Sequence, residues 1–128
     1  MKHYYDKFEE YPWQYNEDTH SPGIRNLVLL DFPPATEIRI SIASFHPGQA
    51  AFPHTHEWEH AMYILNGTCK MNIEGEEAIV KKGMLAFVPK GAVHSVENTG
   101  TEELVIYGVS GPPKTEAGWA QLRKPKPN

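Results

Sequence analysis

The strongest constraint on this chain is its punctuation. From residue 24 onward, short apolar or alternating runs are cut repeatedly by Asn66-Gly67, Glu74-Gly75, Lys82-Gly83, Lys90-Gly91 and Thr99-Gly100. Glycine pairs of this kind form tight turns, because glycine reaches positive-φ backbone at little steric cost. The runs between them cover residues 24–30, 37–42, 60–65, 67–73, 77–80, 84–88, 93–98 and 103–109. Residues 37–42 alternate with period 2, as a half-buried strand does. No window of helical length carries apolar residues at i, i+3, i+4 and i+7. Regular short strands with glycine turns predict an all-β, antiparallel, single-domain sandwich or barrel.

The remaining global properties exclude more than they assign. At 128 residues the chain can bury one real core. A formal charge of −4 gives no electrostatic reason to bind nucleic acid or an anionic membrane. One cysteine, Cys69, allows no internal disulfide, and the start lacks the apolar stretch of a signal peptide. No apolar run reaches the length of a membrane span, so the expected compartment is the cytoplasm.

Three segments are expected. Residues 1–22 hold Tyr4, Tyr5, Phe8, Tyr11, Trp13 and Tyr15, and form an arm packed on the barrel or on a partner subunit, since six exposed aromatics would make a large apolar patch. Residues 23–111 form the barrel. Residues 112–128 form a lysine- and proline-rich tail that Trp119 could anchor. The run 104–109 is apolar at both parities, so both faces need cover, by the core and by a second subunit or the arm; a homodimer is expected.

The chemistry concentrates in histidines. Of the seven, His54, His56 and His60 fall within one heptapeptide, His54-Thr55-His56-Glu57-Trp58-Glu59-His60. On a strand, His54 and His56 would face one way, roughly 6–7 Å apart, close enough to share an ion. His60 has the same parity but would lie roughly 13 Å from His56 on a straight strand. A shared ion therefore requires the chain to turn at residues 57–59. His94, on a separate strand, would close the site. His3, His20 and His46 read as ordinary solvated or core histidines.

Two spaced motifs resemble those of the cupin superfamily. The first is Gly, five residues, His-x-His, three or four residues, Glu, six residues, Gly; here it reads Gly48, His54, His56, His60 and Gly67, with His60 where the family carries glutamate. The second is Gly, five residues, Pro-x-Gly, two residues, His, three residues, Asn; here it is complete as Gly83, Pro89, Gly91, His94 and Asn98. Five fixed residues at fixed spacing arise by chance on the order of once in a million starts. Glu59 falls one residue short of the glutamate position and has the opposite parity, so the ligand role passes to His60. The sequence resembles the four-histidine subgroup of small cupins.

That resemblance implies a jelly-roll or double-stranded β-helix barrel holding one divalent ion on His54, His56, His60 and His94. Mn or Fe is expected ahead of Ni, Zn or Cu. Four neutral imidazoles leave the ion its full charge, and an octahedral ion keeps two open positions for a chelating small molecule or O₂. Met62, Ile64, Cys69 and Met71 are expected to line an apolar pocket, with Phe52 and Trp58 flanking its mouth. Asn98 is expected to fix a turn. The favoured function is a metal-dependent enzyme, an oxygenase or an isomerase or lyase, acting on a small oxygenated compound. The alternatives are a non-catalytic cupin that binds or senses a small ligand, and a barrel whose metal is structural.

Overall fold

A computed structural model describes residues 4–32 and 34–112. The tail beyond Pro112, with Trp119, lies outside the described residues. Ten strands run in order: β1 (Gln14–Tyr15), β2 (Arg25–Leu30), β3 (Arg39–Phe45), β4 (Ala50–His54), β5 (Glu59–Asn66), β6 (Thr68–Ile73), β7 (Glu76–Lys81), β8 (Leu85–Val88), β9 (His94–Asn98) and β10 (Leu104–Gly111). No helix among the described residues is long and apolar enough to cross a membrane.

The strands form two antiparallel sheets, one ordered β1-β2-β3-β10-β5-β8 and the other β4-β9-β6-β7. This is the all-β jelly roll expected from the turn spacing. Two strands escape sequence reading for identifiable reasons. Pro53 interrupts β4 and cannot donate to a ladder, and the β4–β9 register accordingly shifts between Ala51 and His54. β1 has only two residues, too few to show a period.

Strand parity decides what each sheet presents. In β10, Leu104, Ile106, Gly108 and Ser110 face inward and are buried, while Val105, Tyr107 and Val109 face outward and are half-buried. On the inner face of the larger sheet the register sets three rungs across β3, β10 and β5: Arg39–Ser110–His60, Ser41–Gly108–Met62 and Ala43–Ile106–Ile64. The interior is thus polar at one end and apolar at the other. Ile64, Cys69, Met71, Val80 and Leu104 fill much of the apolar core. Ile64 and Leu104 have 0% of their surface exposed. Each such side chain contributes about 1.5–3 kcal/mol by leaving water.

The motif positions outside the histidines are structural. The Asn98 side-chain amide donates to the carbonyls of Phe45 (2.9 Å) and Glu102 (2.9 Å), and its Oδ1 accepts from Gly100 N–H (3.0 Å). It clamps the turn between β9 and β10, as expected. Gly67 has φ +86°, and a Cβ there would lie 2.8 Å from the Glu103 carbonyl oxygen and 3.0 Å from Leu104 Cα. The motif therefore carries glycine where two segments cross backbone to backbone.

Candidate metal centre

Antiparallel pairing of β4 with β9 sets His54 directly opposite His94. Opposed residues in such a ladder hold their Cβ atoms about 4.5–5.5 Å apart, and the two imidazole centroids are 4.2 Å apart. β4 ends at His54, so strand parity does not place His56; it belongs to the segment joining the two sheets, which bends at Glu57 and Trp58. Trp58, 2% exposed, lies flat on the His56 ring at 4.5 Å and 10° between planes, and that stack holds His56 against the other two. One ring nitrogen from each of His54, His56 and His94 lies within 4.8 Å of the others.

Hydrogen bonds orient two of these rings. A backbone carbonyl can only accept, so His54 Nδ1–H donates to Phe52 O (2.6 Å) and His94 Nδ1–H donates to Ala92 O (3.0 Å). In a neutral imidazole this leaves Nε2 as the lone-pair nitrogen, the arrangement that presents histidine to a metal ion. His56 Nδ1 is buried without a hydrogen-bond partner. Buried polar atoms are rarely left unmatched, and a cluster of neutral imidazoles with unused lone pairs fits a divalent ion.

His60 stands slightly apart. It opens β5 in the other sheet, and its ring centroid is 6.2 Å from that of His56 and 6.4 Å from that of His94. Its Nδ1 is also buried and unpartnered. Gly108 makes room for it: a Cβ on Gly108 would stand 2.9 Å from His60 Nε2. Glu59 points to the outer surface, beside Phe87 and Val109, while His60 lines the interior.

Burial dominates the electrostatics. Desolvation, with smaller repulsion among the rings, lowers the pKa of His54 to about 4, of His56 to about 2 and of His60 to about 4, and it lowers that of His94 as well. The unfolded imidazole titrates near 6.5. As pH falls below that value the unfolded chain takes up protons that the folded chain refuses until about pH 4, so folding stability falls with falling pH across that window. The metal-free protein is expected to keep a constant Tm above pH 7 and to lose stability from pH 6.5 down to 4, by up to about 1.4 kcal/mol per pH unit per histidine. Thermal melts at half-unit steps test this; a Tm level down to pH 5 would contradict it.

The histidines lie on the wall of a cavity of about 950 Å³. Two other expected pocket residues, Trp58 and Met62, line it. Phe52, Ile64, Cys69 and Met71 do not. Phe52 is 52% exposed and turns its side chain away from the cavity, so its contribution is the backbone carbonyl on His54. Ile64, Cys69 and Met71 face the interior as parity requires, but they are packed into the core beside the cavity and do not form its wall. Burial pushes the Cys69 thiol up to about 11, so it stays protonated and inert.

Sequence reading missed His20. It lies on the cavity wall, its ring stacks on His54 at 4.2 Å, and its Nε2 faces an Asp18 carboxylate oxygen at 3.8 Å. The Phe52 N–H donates to the His20 carbonyl, tying this segment to β4. Residues 14–21 all line the cavity, so part of the expected arm roofs the site, and Trp13 packs over the Arg25 guanidinium at 5.3 Å. Tyr4 and Tyr5 are exposed. Nothing local in the sequence distinguishes His20, because only the β1–β2 pairing folds it back.

Comparison with known proteins agrees with the fold. The family profile described as "Cupin domain" matches residues 41–110. The chain is 32% identical over 95 residues to an (S)-ureidoglycine aminohydrolase of Escherichia coli, covering 71% of this chain and 36% of that protein. It is 36% identical over 64 residues to an oxalate-binding protein of Thermotoga maritima, covering 49% of this chain and 53% of that one. The chain thus spans about half or less of the length of these relatives. The polyketide cyclase RemF of Streptomyces resistomycificus superposes with a TM-score of 0.75 at 20% identity, over 94% of this chain and 93% of that one, a likeness of fold.

Proposed function

This chain belongs to the cupin family, and on that footing we propose that it is a divalent-metal-dependent enzyme acting on a small oxygenated organic compound. The observation that carries the reading is the convergence of His54, His56 and His94 on the wall of a cavity large enough for such a compound. His60, across the cavity on β5, is the proposed fourth ligand, supported by its unpartnered Nδ1 and its position on the lining. A divalent ion on neutral imidazoles supplies Lewis-acid polarisation of a bound oxygen substituent, or redox chemistry with O₂ if it is Mn or Fe. The protein's part is to hold the rings through Phe52 O, Ala92 O and Trp58, to keep them unprotonated, and to shield the compound beneath residues 14–21. Oxygenase and isomerase or lyase chemistry both suit such a site.

A non-catalytic binding or sensing role is the second reading, favoured by the name of the oxalate-binding relative. A homodimer is also proposed. The outer face of the larger sheet carries a continuous apolar layer of Ile40, Ile42, Tyr107, Val109, Tyr63, Leu85 and Phe87, in which Leu85 is 64% and Phe87 51% exposed. A patch of this kind calls for cover.

The test is protein purified without an affinity tag or added metal. The expected result is near one Mn or Fe per chain, a dimer mass by light scattering, and oxygen uptake or turnover with one of a panel of diketones, hydroxy acids and phenols. A metal-free protein that takes up none of these ions on titration would overturn the metal reading. Tight binding of a panel compound without turnover would favour the second.

A further inference from the structure

The cavity continues past the histidines, and its character changes there. On β3, β10 and β5 the rung of Arg39, Ser110 and His60 is followed by Ser41–Gly108–Met62 and then by Ala43–Ile106–Ile64. On the smaller sheet the pair His54–His94 is followed by Ala51–Val96. Along β10 and β9 each rung is two residues, or roughly 6–7 Å, from the last. Ala43, Ile106, Ala51 and Val96 all line the cavity, together with Phe45. The lysine, arginine and acidic lining residues lie elsewhere, Arg39 on the rung of His60, and Glu17 and Asp18 in the roofing segment. Asn26, paired with Ala43 on β2, is a polar member at the edge of this chamber.

Space exists here because the side chains are small. Ser41, Gly108 and Ala43 lie side by side on the larger sheet, and Ala51 walls the cavity from the smaller one. Ala43 is the informative position. Its parity turns it inward, yet it is only half-buried, so the surface it exposes belongs to the cavity wall. Interiors are otherwise close-packed, and apolar walls facing open space forfeit contacts that an apolar guest restores.

We infer that this chamber receives the body of the compound, an uncharged aryl group or a branched alkyl group of similar size, and that Ala43 sets the room for it. The oxygen-bearing head of the same compound faces the histidines. The inference deepens the metal-site reading and rests on it for the position of the head. The ligand class is a small chelating oxygen compound with one apolar substituent, rather than a short polyacid.

The test uses nickel-loaded full-length protein and calorimetric titration with three acids that share a 2-hydroxy-carboxylate head. Lactate carries the head alone, 3-phenyllactate adds a phenyl ring, and malate adds a carboxylate at the same carbon. The wild type is expected to bind 3-phenyllactate about tenfold or more tighter than lactate, as removal of a ring from water implies. Malate is expected to bind less tightly than 3-phenyllactate. The heat-capacity change is expected to be more negative for 3-phenyllactate than for lactate, the mark of buried apolar surface. Ala43→Leu is expected to lose both phenyl effects while binding nickel and lactate as the wild type does. Ala43→Val, one methylene smaller, carries the same expectation if the leucine variant does not fold. Equal affinity for lactate and 3-phenyllactate in the wild type, or tighter binding of malate than of 3-phenyllactate, overturns the chamber assignment. Survival of the phenyl preference in the folded variant overturns it too, and so does loss of nickel or lactate binding there, which would make Ala43 a structural residue. A nickel-loaded wild type that binds none of the three acids overturns the inference and leaves the metal reading intact. Failure of the wild type to take up nickel overturns the metal reading itself, and the inference with it.

Discussion

Alanine at His94 is expected to lower affinity for Ni²⁺ or Mn²⁺ by more than a hundredfold. Loss of a mere supporting partner of a metal ligand costs roughly 10–100-fold, and in the proposed site His94 would supply a nitrogen directly, its Nδ1–H held by the Ala92 carbonyl so that Nε2 carries the lone pair. The same change removes one of the three closely grouped nitrogens and leaves the proposed site with at most His54, His56 and His60. His60→Gln tests the proposed fourth place and is expected to weaken binding by roughly 10–100-fold. Glu59→Gln should have no effect, since that carboxylate lies on the opposite face. Metal titration followed by calorimetry reads all three, and circular dichroism of the metal-free variants separates metal loss from unfolding. Undiminished affinity in both histidine variants would falsify the four-ligand site. Loss in Glu59→Gln with none in His60→Gln would hand the fourth place to the glutamate.

A large loss of stability is expected from Gly67→Ala. At φ +86° an L-residue carries a backbone penalty, and the new Cβ would lie 2.8 Å from Glu103 O and 3.0 Å from Leu104 Cα, neither of which can swing aside. Strain and overpacking together are expected to cost about 2–4 kcal/mol, which lowers Tm by roughly 10 °C or more. Gly83→Ala is the control. Its φ is +89°, but nothing lies within 4 Å of the added Cβ, so only the backbone penalty of about 1–2 kcal/mol applies. Equal melting temperatures for the two variants would show that the crossing at Leu104 is not tight.

Both experiments probe residues that stand out in the sequence through the two motifs. The jelly roll follows from turn glycines and period-2 runs, because these are local properties of backbone sterics and side-chain alternation. The second histidine motif is complete, and its Asn98 clamps the turn it was expected to fix. Strand parity correctly turns Ile64, Cys69 and Met71 inward. It cannot say which inward-facing residues border the cavity, and these three are packed into the core rather than onto its wall.

Local sequence thus dictates the fold class, the family and four of the histidines that could meet, His54, His56, His60 and His94. Which of them meet closely, and what surrounds them, is a matter of tertiary structure. His54 and His94 are opposed by the register of β4 and β9, forty residues apart in the chain. His56 is held by stacking on Trp58 rather than by strand parity, and His60 has its place because Gly108 lacks a Cβ. His20 and Arg39 have no local signal at all. One reaches the site when the N-terminal segment folds over the mouth, and the other through two ladders that align Arg39, Ser110 and His60 on one rung. Pairing between distant strands is set by the summed packing of both sheets, and a period read within one strand carries no information about it.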